Sequence, residues 1–153
     1  MSDEFYQTVA DKFIFKVKKG LLYTEDDIWV NVKGETFRIG VTDFFQRRGG
    51  DVVYLELPKA NDNVKRQEEV VKFETIKAVS TIKSPLDGTV IEVNTLLSDK
   101  PELINEDPYG KGWLILISPS NLKDNIGRLL SAEKYFEFMN SKIKDDLKKT
   151  GKA

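Results

Sequence analysis

IGVTDFFQRRGGDVVYLEL, residues Ile39 to Leu57, and KAVSTIKSPLDGTVIEVNT, residues Lys77 to Thr95, align without a gap when the chain is slid along itself by 38 residues. Val41 meets Val79, Thr42 meets Ser80, Phe44 meets Ile82 and Gly50 meets Gly88, while Val52-Val53-x-Leu55 meets Val90-Ile91-x-Val93. Each copy reads as strand, glycine-containing turn, strand, and neither could bury its apolar face alone. Two such hairpin units packed face to face predict a mainly β (α+β) fold, a flattened sandwich with an approximate two-fold axis.

The same alternation continues on either side. Asp27 to Val32 leads through a Lys33-Gly34 turn to Thr36–Ile39, and Asp51–Leu57 is a strand stopped by Pro58. Further short strands are expected over 70–76, 79–83, 89–93 and 113–117. Before Gly20, the apolar residues Phe5, Tyr6 and Val9 predict a short N-terminal helix, and Phe13, Phe15 and Val17 an alternating strand after it. Two helices close the chain, one over Asn121–Leu130 and one N-capped by Ser131. In the second, Tyr135, Met139, Ile143 and Leu147 form one apolar stripe that docks onto the body. The division expected is an N-terminal extension (1–22), a β domain (23–120) and C-terminal helices packed on it (121–153), with 150–153 frayed.

Composition narrows the chemistry by what is missing. Among 153 residues there is no cysteine and no histidine. Thiol chemistry, disulfides, thiolate metal sites and the usual general base near neutral pH are therefore absent from the polypeptide. Any redox or acyl chemistry must be borrowed. A formal net charge of −1 gives no footprint for nucleic acid or an anionic membrane. The basic run from Lys142 to Lys152 is broken by Asp145 and Asp146 and reads as a solvated helical end. No apolar run is long enough to span a membrane, and the acidic start Met1-Ser2-Asp3-Glu4 lacks a signal core, so the expected location is cytoplasmic.

Lys77 opens the second copy, between two β-rich runs, and the simplest geometry puts it at or beside a hairpin tip. A lysine there projects a flexible stem and a compact amine into water. The chain has 19 lysines, most of them surface solvators, so exposure alone does not single it out.

The surrounding text does. Phe73-Glu74-Thr75-Ile76-Lys77-Ala78-Val79-Ser80, then Ser84-Pro85-Leu86-Asp87-Gly88-Thr89-Val90-Ile91-Glu92-Val93-Asn94, closely resembles the lipoylation signature of the glycine cleavage H-protein family. That signature runs E-S-V-K-A, then S-P-x-x-G-x-V-x-E-V-N. The resemblance extends through 39–46, 50–58, 101–114 and 130–135, in order and at family spacing.

It implies a hammerhead, lipoyl-domain-like β-sandwich (a barrel-sandwich hybrid) with appended helices. It carries the family's modified lysine onto Lys77, in amide linkage to lipoic acid as N6-lipoyl-lysine, and places Glu74 where the lipoylating enzyme could recognise it. A plain strand carboxylate is the other reading of Glu74. The implied partners are glycine decarboxylase (PLP), aminomethyltransferase (folate), dihydrolipoyl dehydrogenase (FAD) and a lipoylating enzyme, with no nucleic acid and no membrane. Between the first three, the lipoyl arm shuttles an aminomethyl group, and the carrier performs no bond chemistry of its own.

Three departures bear on the pathway. The family's H-E-W-V is here Asp27-Ile28-Trp29-Val30, which leaves open whether the segment shelters a different cargo. The family's K-K-G turn is Lys65-Arg66-Gln67, without glycine, and is expected to adopt a different conformation. Some 20 extra residues before Tyr23 and a longer helix after Tyr135 are either private docking surfaces or core cover.

The alternative is an H-like lipoyl carrier for lipoyl relay or sulfur-intermediate transfer in another complex. A biotin carrier would flank its lysine with methionines, where Lys77 has Ile76 and Ala78. A β domain that is never modified and only binds partners also fits the pattern, whereas a stand-alone enzyme conflicts with the empty catalytic inventory. Gly49-Gly50 and Gly110-x-Gly112 read as turns.

Overall fold

The computed structural model describes residues 4–149, so the start at Met1-Ser2-Asp3 and the expected fraying of 150–153 lie outside the described residues. Strands β1 (Phe5–Ala10) and β2 (Phe13–Lys18) open the chain as an antiparallel hairpin. This corrects the expected N-terminal helix. Phe5 and Val9 have helical spacing, but Val9 points to solvent at 72% exposure. The six residues of β1 pair one to one with β2, from Phe5 opposite Lys18 to Ala10 opposite Phe13. The turn between them holds Asp11 and Lys12 at φ 46° and 76°, the left-handed pair that a two-residue hairpin demands. With neither glycine nor asparagine there, the turn carried no sequence signal.

The body follows as β3 (Leu22–Tyr23), β4 (Ile28–Lys33), β5 (Thr36–Val41), α1 (Asp43–Gly49), β6 (Val52–Glu56), β7 (Asn63–Val64), β8 (Glu69–Thr75), β9 (Val79–Lys83) and β10 (Gly88–Val93). Two single turns come next, α2 (Leu96–Asp99) and α3 (Leu103–Glu106), then β11 (Ile115–Pro119), α4 (Leu122–Gly127), β12 (Leu130–Ser131) and α5 (Ala132–Lys149). One sheet runs β12-β3-β4-β5-β11-β10-β7 and a second runs β6-β8-β9.

Within the larger sheet the trio β10-β11-β5 repeats the pairing order of β6-β8-β9, each pair antiparallel. That is the two-fold relation. Its most specific mark is a bulge: β6 skips Val53 against β8, and β10 skips Ile91 against β11. Val53 and Ile91 are the residues matched by the 38-residue slide. The gapless register fails elsewhere, however. Ten residues (42–51) separate β5 from β6, and four (84–87) separate β9 from β10. The surplus is helix α1, so Phe44, matched with strand residue Ile82, is helical.

The reason is local. Thr42 Oγ1 accepts the backbone N–H of Phe45 at 3.3 Å, Asp43 occupies the first turn and Arg47 and Arg48 the last.

Between the sheets lies one apolar core, with Phe37, Ile39, Phe73, Ile82, Leu86, Val90 and Ile117 buried in it. Close approach is needed in β4–β5, where Trp29 faces Gly40: a Cβ on Gly40 would fall 2.5 Å from the indole, which donates to the Pro108 carbonyl at 2.8 Å. A second cluster joins Phe15 and Val17 of β2 to Phe44 of α1 and to Tyr135, Met139 and Ile143 of α5. The predicted α5 stripe thus docks inward, and Ser131 Oγ caps the helix by accepting from Lys134 N at 3.2 Å. The N-terminal extension covers this second core. Among the described residues no helix is long and apolar enough to cross a membrane.

Candidate functional site

Strands β8 and β9 are joined by a three-residue turn, Ile76-Lys77-Ala78, and Lys77 is exposed at its tip. The turn closes through one side chain. Thr75 Oγ1 accepts the backbone N–H groups of Lys77 and Ala78, both at 3.2 Å, and donates to the Ala78 carbonyl at 3.3 Å; Thr75 N donates to that same carbonyl at 2.9 Å. The hydroxyl stands in for the carbonyl that an ordinary β-turn would use. Ile76 N donates to the Asp51 carbonyl at 3.3 Å, tying the turn to the α1–β6 loop.

That loop is itself pinned. Asn105 Nδ2 donates to the Gly50 carbonyl at 3.0 Å and to Gln46 Oε1 at 3.1 Å, and Asn105 Oδ1 accepts from Val52 N at 2.9 Å. Gly50 sits at φ 84°, with the Lys77 stem lying across it. The Lys77 ammonium donates to the Arg48 carbonyl at 3.5 Å. So a flexible amine stands on a rigid base: a turn locked by Thr75, resting on a loop locked by Asn105.

Thr75, Gln46 and Asn105 were not singled out from sequence. All three lie inside the stretches that carry the family resemblance, but Gln46 and Asn105 are 59 residues apart and only the fold brings them together.

Glu74, three residues before Lys77, is the penultimate residue of β8, lies on the outer face of its sheet and is half-buried. Among the described residues no hydrogen bond or ion pair joins it to Lys77. An apolar cleft of about 160 Å³ opens beside Arg48, walled by Phe13 and Phe15 of the hairpin, Phe44, Ile143 and Leu147. Arg48 also pairs with Asp146 at 3.2 Å.

The departures resolve as follows. Asp27, at φ 67°, turns into the α5 side of the molecule: its carboxylate accepts from Tyr135 Oη at 2.7 Å and from Lys142 Nζ at 2.8 Å on each oxygen. Ile28 and Trp29 are buried. Lys142 is thus an exception to the expected solvated basic end. Burial, reinforced by the Asp27 charge, pushes the Tyr135 hydroxyl far above the usual phenol range. The turn at Lys65-Arg66-Gln67 keeps a glycine-like conformation after all, with Gln67 at φ 74° and Glu68 N donating to the Lys65 carbonyl at 2.9 Å. Lys65 N donates to Glu68 Oε2 at 3.1 Å and Gln67 N to the Ser84 carbonyl at 2.9 Å, which hold the left-handed residue in place.

Comparison with known proteins returns one family. The family model described as glycine cleavage H-protein matches residues 21–142. The probable glycine cleavage system H protein of Pyrococcus abyssi is 47% identical over 128 residues, covering 83% of this chain and 95% of that protein. The glycine cleavage system H protein of Geobacillus kaustophilus is 44% identical over 122 residues, covering 80% of this chain and 95% of that one. A crystal structure of a glycine cleavage system H protein from Mycobacterium marinum superposes with a TM-score of 0.70 at 33% identity, covering 78% of this chain and 95% of that chain.

Proposed function

The chain belongs to the glycine cleavage H-protein family, and from that premise we propose that it carries a lipoyl group in amide linkage on Lys77. H proteins are lipoyl carriers. The observation that carries the assignment to Lys77 is its place: an exposed amine on a tight turn whose backbone is fixed by Thr75, within the signature that the family uses for attachment.

When attached to Lys77, the group would supply a reversible disulfide–dithiol couple, sulfur chemistry that a chain with no cysteine lacks. What the polypeptide contributes is position. The 49–51 loop beneath the Lys77 stem is held by Asn105, so a group tethered to that amine would be confined to a small volume at high local concentration. The proposed partners are the PLP-dependent decarboxylase, the folate-dependent aminomethyltransferase, the flavin-dependent dihydrolipoyl dehydrogenase and the lipoylating enzyme. Glu74 is the carboxylate proposed for recognition by the last of these. Relay in another multienzyme complex is not favoured, since relatives at 44–47% identity are named for the glycine system.

The test is intact mass of protein produced with lipoic acid. One lipoyl increment on the parent and none on Lys77→Arg supports the assignment, and an unmodified parent overturns it. The pathway is tested by adding the modified protein to the three partner enzymes and measuring glycine decarboxylation.

A further inference from the structure

Tyr54, Glu74 and Val79 stand in one row across three adjacent strands. Tyr54 of β6 lies opposite Glu74 of β8, which lies opposite Val79 of β9. Opposed residues share a face, and successive residues alternate between faces. The next row, Leu55, Phe73 and Ser80, holds the buried Phe73 and therefore faces the core. The Tyr54–Glu74–Val79 row faces out.

Tyr54 is 50% exposed and Val79 59%, and Ile76, in the turn beside Lys77, is 71% exposed. The following outward row, Glu56, Lys72 and Thr81, is polar throughout. Apolar exposure on this face is thus gathered at the end of the sheet that carries Lys77. No ion pair among the described residues involves Glu74, which sits at the centre of the row.

We infer that Tyr54, Ile76 and Val79, with Glu74 between the two strand residues, form the docking surface for the enzyme that attaches the lipoyl group, and for that partner alone. The inference rests on the assignment of Lys77 above. In attachment by an ATP-dependent ligase, the unprotonated Lys77 amine attacks an adenylated lipoyl carboxylate. The amide bond forms, the acyl–phosphate bond breaks, AMP leaves and the nitrogen releases a proton.

A bare lysine reaches only roughly 6 Å from its Cα, five bonds of about 1.5 Å. An enzyme active on that nitrogen must therefore close over the turn and touch the residues flanking it. After attachment the reacting sulfurs would stand at the far end of a longer arm, so the remaining partners would not need to close over the row. Charge complementarity defines the occupant further: an apolar rim with one cationic side chain set against Glu74.

The experiment uses the purified full chain, an ATP-dependent lipoate ligase, lipoic acid and ATP, and follows modification by intact mass. The double variant Tyr54→Thr/Val79→Thr places a strand-compatible β-branched residue at both strand positions, and Ile76→Thr provides a second variant outside them. At sub-saturating carrier the initial modification rate of each is expected to fall by about tenfold or more. After prolonged incubation both reach full modification. Reoxidation of their reduced arms by dihydrolipoyl dehydrogenase then proceeds at the parent's rate. Parent-like modification rates in both variants overturn the docking surface while leaving the Lys77 assignment intact. Equal losses in modification and reoxidation overturn its restriction to one partner. A parent that is never modified overturns the underlying assignment instead.

Discussion

Lys142 Nζ lies 2.8 Å from both carboxylate oxygens of Asp27, a residue 115 positions earlier in the chain, and so bolts helix α5 to the entrance of β4. Both side chains are largely covered, at 25% and 13% exposure. Removing one partner leaves the other charge buried and unpaired. Asp27→Asn keeps the left-handed backbone, which asparagine tolerates, and is expected to lower unfolding stability by about 2 kcal/mol. Asp146→Asn, which breaks the more exposed pair to Arg48, should cost less than about 0.5 kcal/mol. Urea melts of the two variants decide whether burial or mere ion-pair geometry sets the difference.

Thr75 fixes the turn under Lys77 through its hydroxyl. Thr75→Val has the same shape but leaves the Lys77 and Ala78 N–H groups to water, at a cost of about 1 kcal/mol. Thr75→Ser retains the oxygen and should stay close to the parent in stability. If lipoylation needs a fixed turn, the valine variant is also modified more slowly by the ligase, and serine restores the rate.

Gln67 pays a conformational penalty that glycine would not. A non-glycine residue in the left-handed region costs about 1–2 kcal/mol, partly offset by glycine's greater freedom in the unfolded chain. Gln67→Gly is therefore expected to raise stability by about 0.5–1 kcal/mol. Arg66→Gly, at a neighbouring residue with negative φ, should lower it. Opposite signs in thermal melts are the result to look for; matching signs would falsify the strain argument.

Alkaline pH should unfold the protein steeply. Burial raises the hydroxyls of Tyr23, Tyr109 and Tyr135 well above the ordinary phenol value of 10.0. Above that pH the unfolded chain releases these protons and the folded one keeps them. Their contribution is thus complete below pH 10 and lost as pH rises beyond it, by about 1.4 kcal/mol per pH unit for each phenol. In Tyr135→Phe the slope of stability against pH above 10 should fall by about a third, whatever the variant's stability at pH 7.

Much of the architecture was legible because strand alternation and the 38-residue match are local patterns. The match was truest where both copies are strands: Val53 and Ile91 are aligned by it and bulge alike. It misled at 42–49, where apolar residues at strand-like positions serve a capped helix, since Phe44 is buried equally well by either geometry. The N-terminal hairpin was missed for a similar reason. Phe5, Tyr6 and Val9 fit a helical period, and the pairing that made them a strand came from Phe13–Lys18.

The sequence by itself determined that the polypeptide has no thiol and no imidazole of its own, and it singled out Lys77 by the resemblance of the residues around it, because such a signature is written in consecutive side chains. Only the tertiary structure decided how the amine is held. Asn105 reaches Gly50, Asp51 reaches Ile76, and Lys142 reaches Asp27 across stretches of chain whose separation carries no periodic signal. Hydrogen bonds depend on distance in space, and the fold alone makes residues 25 to 115 positions apart into neighbours.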